Sequence, residues 1–523
     1  MPGTWNVQSK ELFWYEGSGI YMRTFRYAPR EAGERALLCF EGAAYEASVF
    51  LNGVFLGTHD GGSTPFTVDI NGVVKPDNRL IVVVDARRSP LRVPMNNTDW
   101  FNYGGLYRDV YLARVPGVYI KDWFVRLVPD GTFSKIRADV VVVGGDGKVV
   151  LAIPELDVQE EITLRDGAGR GVFAVNPESL SLWSPENPKR YDVSIRLLPE
   201  GDGAGGGAGG DLVQDRGDLI RDRIGFREIK AQGQEILLNG KKIFLKGVSV
   251  HEDHALLGKT TTPEVIRETI RDLKEMNGNY LRLAHYPHDR RFARIADEEG
   301  VLLWEEIPVY WAIAFGNKNT YQDAENQLAE LIKRDRNRVS VIIWSVGNEN
   351  PDTDERLRFM SGLAKRARKL DEPRLVSAAC LVNHTKLKIE DRLSEFTDII
   401  GINEYYGWYD PDFDKLSQLL SNSSPDKPVI ITEFGAGARS GQRGSTDDLF
   451  SEDCQKALYL KQIATFKQYP FIAGLSPWIL YDFRCPRRFN RYQEGYNRKG
   501  LIDADRKTKK LAFSVMREFY KER

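Results

Sequence analysis

The chain has 523 residues, with 73 Lys and Arg against 74 Asp and Glu, for a formal charge of −1. That balance excludes the broad positive field that holds nucleic acid or an anionic membrane surface. A content of 42% hydrophobic and 11% aromatic residues excludes disorder as the main state, and at roughly 100–200 residues per domain the length predicts about three domains. Cys39, Cys380, Cys454 and Cys485 show no short paired spacing, so neither a zinc cluster nor a disulfide framework is expected and a reducing compartment, the cytoplasm, fits. The start carries no basic-then-apolar leader, and no apolar run approaches the roughly 20 residues that span a bilayer.

Residues 1–224 read as short strands separated by turns. Within Ser48–Leu56 the pair Asn52–Gly53 can adopt the positive φ angles of a type I′ hairpin, with apolar runs on both sides. Asn71–Gly72 and the runs Ile81–Val84 and Val140–Val143 continue the pattern, which predicts two β-sandwiches, residues 1–114 and 115–224, with a seam near Arg114–Val115–Pro116. The glycine-rich stretch 201–210 offers no side chains to pack and reads as a loop.

From residue 225 to 523 the texture alternates between strand and helix. Eight apolar β-rich runs appear, at Ile243–Val250, Tyr280–Ala284, Leu302–Ile307, Val341–Val346, Leu375–Leu381, Ile399–Tyr406, Val429–Phe434 and Ile472–Leu480. Between them lie segments such as Pro263–Met276, Ala324–Arg336 and Glu355–Leu370, where apolar residues recur at helical spacing. This is the arithmetic of a (β/α)8 TIM barrel, whose site lies at the C-terminal ends of its strands. A doubly wound open sheet is the alternative, and no glycine-rich phosphate loop supports it.

Two of those strand ends carry a carboxylate directly after an apolar run, Glu349 after the fourth and Glu433 after the seventh. Burying a carboxylate there is costly unless it is used, and two opposed carboxylates are what acetal hydrolysis requires. Around them Ile343–Glu349 and Ile431–Gly435 resemble the acid/base and nucleophile signatures of glycoside hydrolase family 2. Lys246–Asp253, Arg282–Pro287, Asp99–Gly105, Leu182–Pro185 and Arg223–Arg227 resemble further motifs of that family, in order, over nearly the whole chain. The resemblance implies a jelly-roll-like sugar-binding sandwich, an immunoglobulin-like sandwich and a catalytic barrel. It also implies retention through a covalent glycosyl-enzyme, with Glu433 the nucleophile, Glu349 the general acid and then base, and carboxyls about 5–5.5 Å apart. Asn348 resembles the family's ligand of the sugar 2-hydroxyl.

Within the family the likeness is to the β-glucuronidases. Asn403–Tyr409, containing Tyr405 and Tyr409, resembles their strand-six motif, and Asn497–Arg498–Lys499 resembles their Asn-x-Lys motif, which holds the uronate carboxylate; a fixed cation with a second donor is what that group needs. Asp99, His251 and His285 are placed to meet the sugar, and Trp478 to form a platform beneath its ring. The basic segment Arg484, Arg487 and Arg488 departs from the pattern and reads as extra cations toward an acidic polysaccharide or a C4 epimer such as a galacturonide. The short connection after the third strand predicts an open mouth. Family members begin several dozen residues earlier, so the first sandwich is expected to lack strands. The expected partner is a carbohydrate ending in a uronic acid, with no cofactor, no metal, no nucleic acid and no membrane, and the family implies a dimer or tetramer. A metal-dependent hydrolase built on His251, His254, His285 and His288, and a non-catalytic glycan-binding protein, are the rivals. β-Galactosidase, β-galacturonidase and β-mannosidase remain as neighbours.

Overall fold

The computed structural model describes residues 3–199 and 217–523. The glycine-rich stretch 201–210 lies outside the described residues. The first sandwich faces a four-stranded antiparallel sheet, ordered Ser18–Arg26, Asp77–Asp85, Glu46–Leu51 and Val54–Asp60, against a three-stranded sheet of Phe66–Asp69, Arg35–Phe40 and Val110–Val115. Asn52 and Gly53, at φ +54° and +85°, turn the hairpin between Glu46–Leu51 and Val54–Asp60. Alternation in Glu46–Leu51 sends Ala47, Val49 and Leu51 inward, where they meet Leu38, Phe40, Val82, Val84 and Trp5. A Cβ on Gly104 would stand 2.1 Å from the Trp5 ring, so glycine is what lets the Asp99–Gly105 loop lie against this core.

The second sandwich sets Val158–Thr163, Gly147–Ile153, Tyr191–Pro199 and Leu219–Ile224 over Ala168–Ala174, Lys135–Val143 and Tyr119–Leu127. Val140, Leu151, Ile195 and Phe226 centre its core.

Eight parallel strands then close a barrel: β1 (Leu245–Val250), β2 (Tyr280–Leu283), β3 (Leu302–Glu306), β4 (Val341–Asn348), β5 (Leu375–Cys380), β6 (Ile400–Asn403), β7 (Val429–Glu433) and β8 (Ile472–Leu475). Helices α1 (Pro263–Glu275), α2 (Arg290–Glu299), α3 (Lys318–Asp335), α4 (Asp354–Leu370), α5 (Asp414–Ser421), α6 (Glu452–Phe466) and α7 (Leu511–Glu522) accompany it. Some bounds differ from the sequence reading for local reasons. Strand β8 ends at Leu475 rather than near Leu480, because after the Ser476 N–H bonds the Ile431 carbonyl at 2.8 Å the ladder is interrupted at Pro477, which has no N–H to continue it. Strand β6 ends at Asn403 because the chain turns back, Tyr409 N–H bonding the Tyr405 carbonyl at 3.1 Å. Helix α3 starts at Lys318, before Ala324, because the Asn317 side chain accepts from the N–H groups of Asn319 and Thr320. Among the described residues no helix is long and apolar enough to cross a membrane.

The N-terminal end of the barrel is plugged. A three-stranded meander, Ile229–Gln232, Glu235–Leu238 and Lys241–Ile243, packs Ile236 and Leu238 with Leu245, Tyr280, Leu302, Ile342 and Ile430. Trp183 of the second sandwich joins that cluster, fully buried, its indole N–H donating to the Asp297 carbonyl at 3.0 Å. The first sandwich meets the barrel at the other end. Arg108 donates to Glu252 at 2.9 Å and to the Pro287 carbonyl at 2.8 Å, with both charged groups buried, and Tyr45 donates to Asp323 at 2.6 Å. With one end sealed, a site at the strand ends of the barrel has to open beside the first sandwich. Trp183→Ala, which empties the seam between the second sandwich and the barrel, is expected to cost about 3–5 kcal/mol. Chemical denaturation checks this; an unchanged midpoint and slope would show that the plug is not coupled to barrel stability.

Candidate active site

In β2 every residue of Tyr280–Leu283 is buried, Arg282 included. A guanidinium there must find acceptors, and the neighbouring strand ends provide them. Its Nε and Nη2 donate to Glu306, at the end of β3, at 3.2 and 3.1 Å; Nη2 also donates to Asn348 Oδ1 at 2.7 Å; Nη1 donates to Glu433 Oε1 at 2.8 Å and to the Thr432 carbonyl at 3.2 Å. Burial opposes the charge on Arg282, but Glu306 and Glu433 outweigh it and raise its pKa. Burial likewise opposes ionisation of Glu306, yet Arg282 and His285 hold it down at about 2. The bond from His285 Nδ1 to Glu306 is 2.7 Å and that from the Trp304 indole is 2.7 Å.

Glu349 follows β4 in a left-handed conformation, φ +50°, which a side chain other than glycine rarely adopts. Trp311, itself at φ +54°, donates its indole N–H to Glu349 Oε2 at 2.6 Å, and Asn403 Nδ2 donates to Oε1 at 3.0 Å. Strain at neighbouring positions is the kind of cost that functional sites retain. Asn403 is fixed in turn by Thr432, whose hydroxyl donates to its Oδ1 at 2.7 Å. Burial, and then the charge of Glu433, raise the pKa of Glu349. Tyr405 donates to Glu433 Oε2 at 2.7 Å, so both oxygens of Glu433 are held. Asn348 spends Oδ1 on Arg282 and Asn403, while its Nδ2 is buried without a partner.

On the other side of the cleft, Lys499 is 3% exposed and donates from Nζ to the Tyr409 hydroxyl at 2.5 Å, standing 5.1 and 4.7 Å from the ring centres of Tyr405 and Tyr409. No carboxylate lies within ion-pair distance of it among the described residues. Asn497 is fully buried; its Oδ1 accepts from the Lys499 N–H at 3.2 Å and its Nδ2 donates to Asp99 at 3.2 Å. Asp99, from the first sandwich, is also held by Arg488 at 2.6 Å and the Cys485 thiol at 3.2 Å.

Aromatic rings line the floor. His285 stacks on Trp478 with centres 4.7 Å apart, and its Nε2 lies 3.7 Å from Glu433. His251 packs edge-on to Trp478 at 5.2 Å and contacts the Tyr286 hydroxyl through Nδ1 at 3.1 Å; its Nε2 is buried without a partner, and burial beside His285 pushes its pKa well below the usual value. Trp100, also from the first sandwich, leans on His285 and Tyr310 at 5.6 and 4.8 Å.

The structure thus brings Glu349, Glu433, Asn348, Asn403, Tyr405 and His285 into one hydrogen-bonded net, with Trp478 against it and Asp99, Tyr409, Asn497 and Lys499 in a second. One predicted residue does not stand free toward a ligand. Arg484 is 8% exposed and its donors are taken by the Tyr103 hydroxyl at 2.8 Å, Asp253 at 3.3 Å and the carbonyls of His254 at 3.1 Å and Ala255 at 2.5 Å. It is a tie between the two domains, because a buried guanidinium must first satisfy its own donors. Trp478 is 4% exposed with one face covered by His285, which limits it as a platform. His254 and His288 contact backbone groups, and among the described residues no group of three or more His, Cys, Asp or Glu is arranged to hold a metal. Sequence reasoning passed over Arg282, Glu306, Trp100 and Trp311 as site residues. Arg282 and Glu306 did leave a signal, a charge inside an apolar strand and a carboxylate at a strand end, and Trp100 lies within the Asp99–Gly105 motif, whereas nothing local marks Trp311.

Two family models match the chain: the sugar binding domain of glycosyl hydrolases family 2 over residues 4–116, and the TIM barrel domain of the same family over residues 229–522. A β-glucuronidase of Paenibacillus borealis is 29% identical over 98% of this chain and 89% of its own length. Among solved structures, a β-galacturonidase from Eisenbergiella tayi bound to galacturonate superposes with a TM-score of 0.88 at 27% identity, over 100% of this chain and 92% of that one. A Bifidobacterium dentium β-glucuronidase complexed with coumarin-3-O-glucuronide superposes at 0.87 with 26% identity, over 100% and 91%.

Arg282→Met removes the shared donor and leaves Glu306 buried without its main counter-charge. The expected loss is about 3–5 kcal/mol of stability, read by chemical denaturation. A change within about 0.5 kcal/mol would show the net to be dispensable for folding.

Proposed function

Since the chain belongs to glycoside hydrolase family 2 and is a glycoside hydrolase, we propose that it is an exo-acting β-glucuronidase that cleaves terminal β-D-glucuronides with retention of configuration. The observation that carries the sugar assignment is Lys499, a buried cation with tyrosines and an amide around it and no carboxylate partner among the described residues. A buried charge without a counter-ion is costly, and a uronate C6 carboxylate would supply one. The names of the relatives agree with this reading.

In the proposed reaction Glu433, aimed by Arg282 and Tyr405, attacks the anomeric carbon while Glu349 gives its proton to the glycosidic oxygen, so the C–O bond breaks and the aglycone leaves neutral. Glu349 is suited to that step because burial and the facing charge of Glu433 favour its protonated form. The glycosyl ester on Glu433 is then opened by water, whose proton returns to Glu349. Asn348 Nδ2, the buried donor without a partner, is the group offered to the sugar 2-hydroxyl. The neighbour bound to galacturonate favours a second reading, β-galacturonidase, which keeps the same Lys499 contact and differs only at C4.

A panel of aryl β-glycosides differing at C4 and C6 tests the assignment. The glucuronide is expected to be cleaved best; preference for a neutral galactoside would defeat the uronidase reading, and preference for the galacturonide would select the second. Lys499→Ala is expected to cost about 2–4 kcal/mol in kcat/KM for the uronide and little for neutral sugars. The proton-donating form of Glu349 is lost as pH rises through a pKa lifted above the ordinary 4.5. The alkaline limb of kcat/KM is therefore expected above that value, and a limb at or below it would remove Glu349 from the acid role.

A further inference from the structure

The cations of the loop after β8 have different partners. Arg484 is tied to Asp253 and Arg488 to Asp99. Arg487 is exposed and has no carboxylate within ion-pair distance among the described residues; its guanidinium lies 5.0 Å from the centre of the Trp311 ring and bonds the Asn97 side-chain oxygen of the first sandwich. Trp311 is the residue whose indole N–H grips Glu349 Oε2 at 2.6 Å. One indole therefore separates the carboxyl assigned to protonating the leaving oxygen from an uncompensated cation. The rim continues in aromatic surface, with Phe489 and Trp14 66% and 56% exposed and their ring centres 5.9 Å apart. Exposed rings of this kind stack on sugar faces.

We propose that Arg487, with Asn97 and Trp311, forms a leaving-group subsite for a sugar that carries a negative charge, so that the enzyme prefers a terminal sugar linked to an acidic residue over one linked to a neutral residue. This deepens the glycosidase reading and rests on it, because Glu349 must be the proton donor for Trp311 to mark the leaving side. Lys499 and Arg487 then divide the substrate between them, one meeting the charge of the terminal ring and the other that of the ring released. The spare cation is exposed, so its contribution is moderate and screened by salt.

A matched pair of disaccharides tests this. Both carry at their non-reducing end whichever sugar the aryl panel selects, β-linked to a uronic acid in one and to its methyl ester in the other, so only the charge of the leaving ring differs. The wild-type enzyme is expected to prefer the free acid in kcat/KM at low salt. Arg487→Ala is expected to lower the acid-to-ester ratio roughly three- to tenfold, and Arg487→Lys to restore part of it. A wild-type ratio near one, or a ratio unchanged in Arg487→Ala, overturns the proposal. Because the terminal sugar is set by the panel, failure of the uronide assignment shows in the panel and failure of the subsite shows in the ratio.

Discussion

A guanidinium removed entirely from water must be given acceptors on every side, and Arg282, fully buried in β2, is satisfied only by groups from other strands. Its partners sit at the ends of β3, β4 and β7: Glu306, Asn348 and Glu433. The requirement to pair one charge therefore fixes the relative placement of residues from four strands. His285, Asn403 and Tyr405 attach to the same net at second hand, through Glu306, Asn348 and Glu433. Preorganisation of this kind would place the proposed general acid and nucleophile without a reorganisation cost at the moment of reaction.

The site is finished by another domain. Asp99 and Trp100 arrive from the first sandwich, and Asp99 meets Asn497 across 398 positions of sequence. Their position depends on ties made by buried arginines across the domain boundary: Arg108 with Glu252 and Arg484 with the Tyr103 hydroxyl. The barrel alone would present the second net without Asp99. Docking of the sandwich is thus part of building the cleft, while the seal formed by Trp183 and the Ile229–Ile243 meander leaves the opposite end closed.

The segment from Arg484 to Lys499 shows how little a charge cluster says until its partners are known. In sequence the cations look alike. In the fold Arg484 is a buried interdomain tie, Arg488 orients Asp99, Lys499 stands in the cleft without a carboxylate, and Arg487 lies over the indole that holds Glu349. Differences in burial and in the nearest acceptor, both set by residues far away in the chain, separate them.

The repeating strand and helix periods, Asn52–Gly53 and the carboxylates Glu349 and Glu433 after apolar runs were legible from residue order, because hairpin turns, barrel units and strand-end charges are written in local spacing. The exact ends of β6 and β8 were less so, since a turn at Tyr405–Tyr409 and the missing N–H of Pro477 compete with apolar character. Arg282 and Glu306 were half legible, as charges where a strand should be apolar. The role of Trp311, the diversion of Arg484 and the lone position of Lys499 belong to tertiary structure alone: each depends on which groups distant in sequence do or do not come near, and local spacing carries no record of which distant group will satisfy a buried donor.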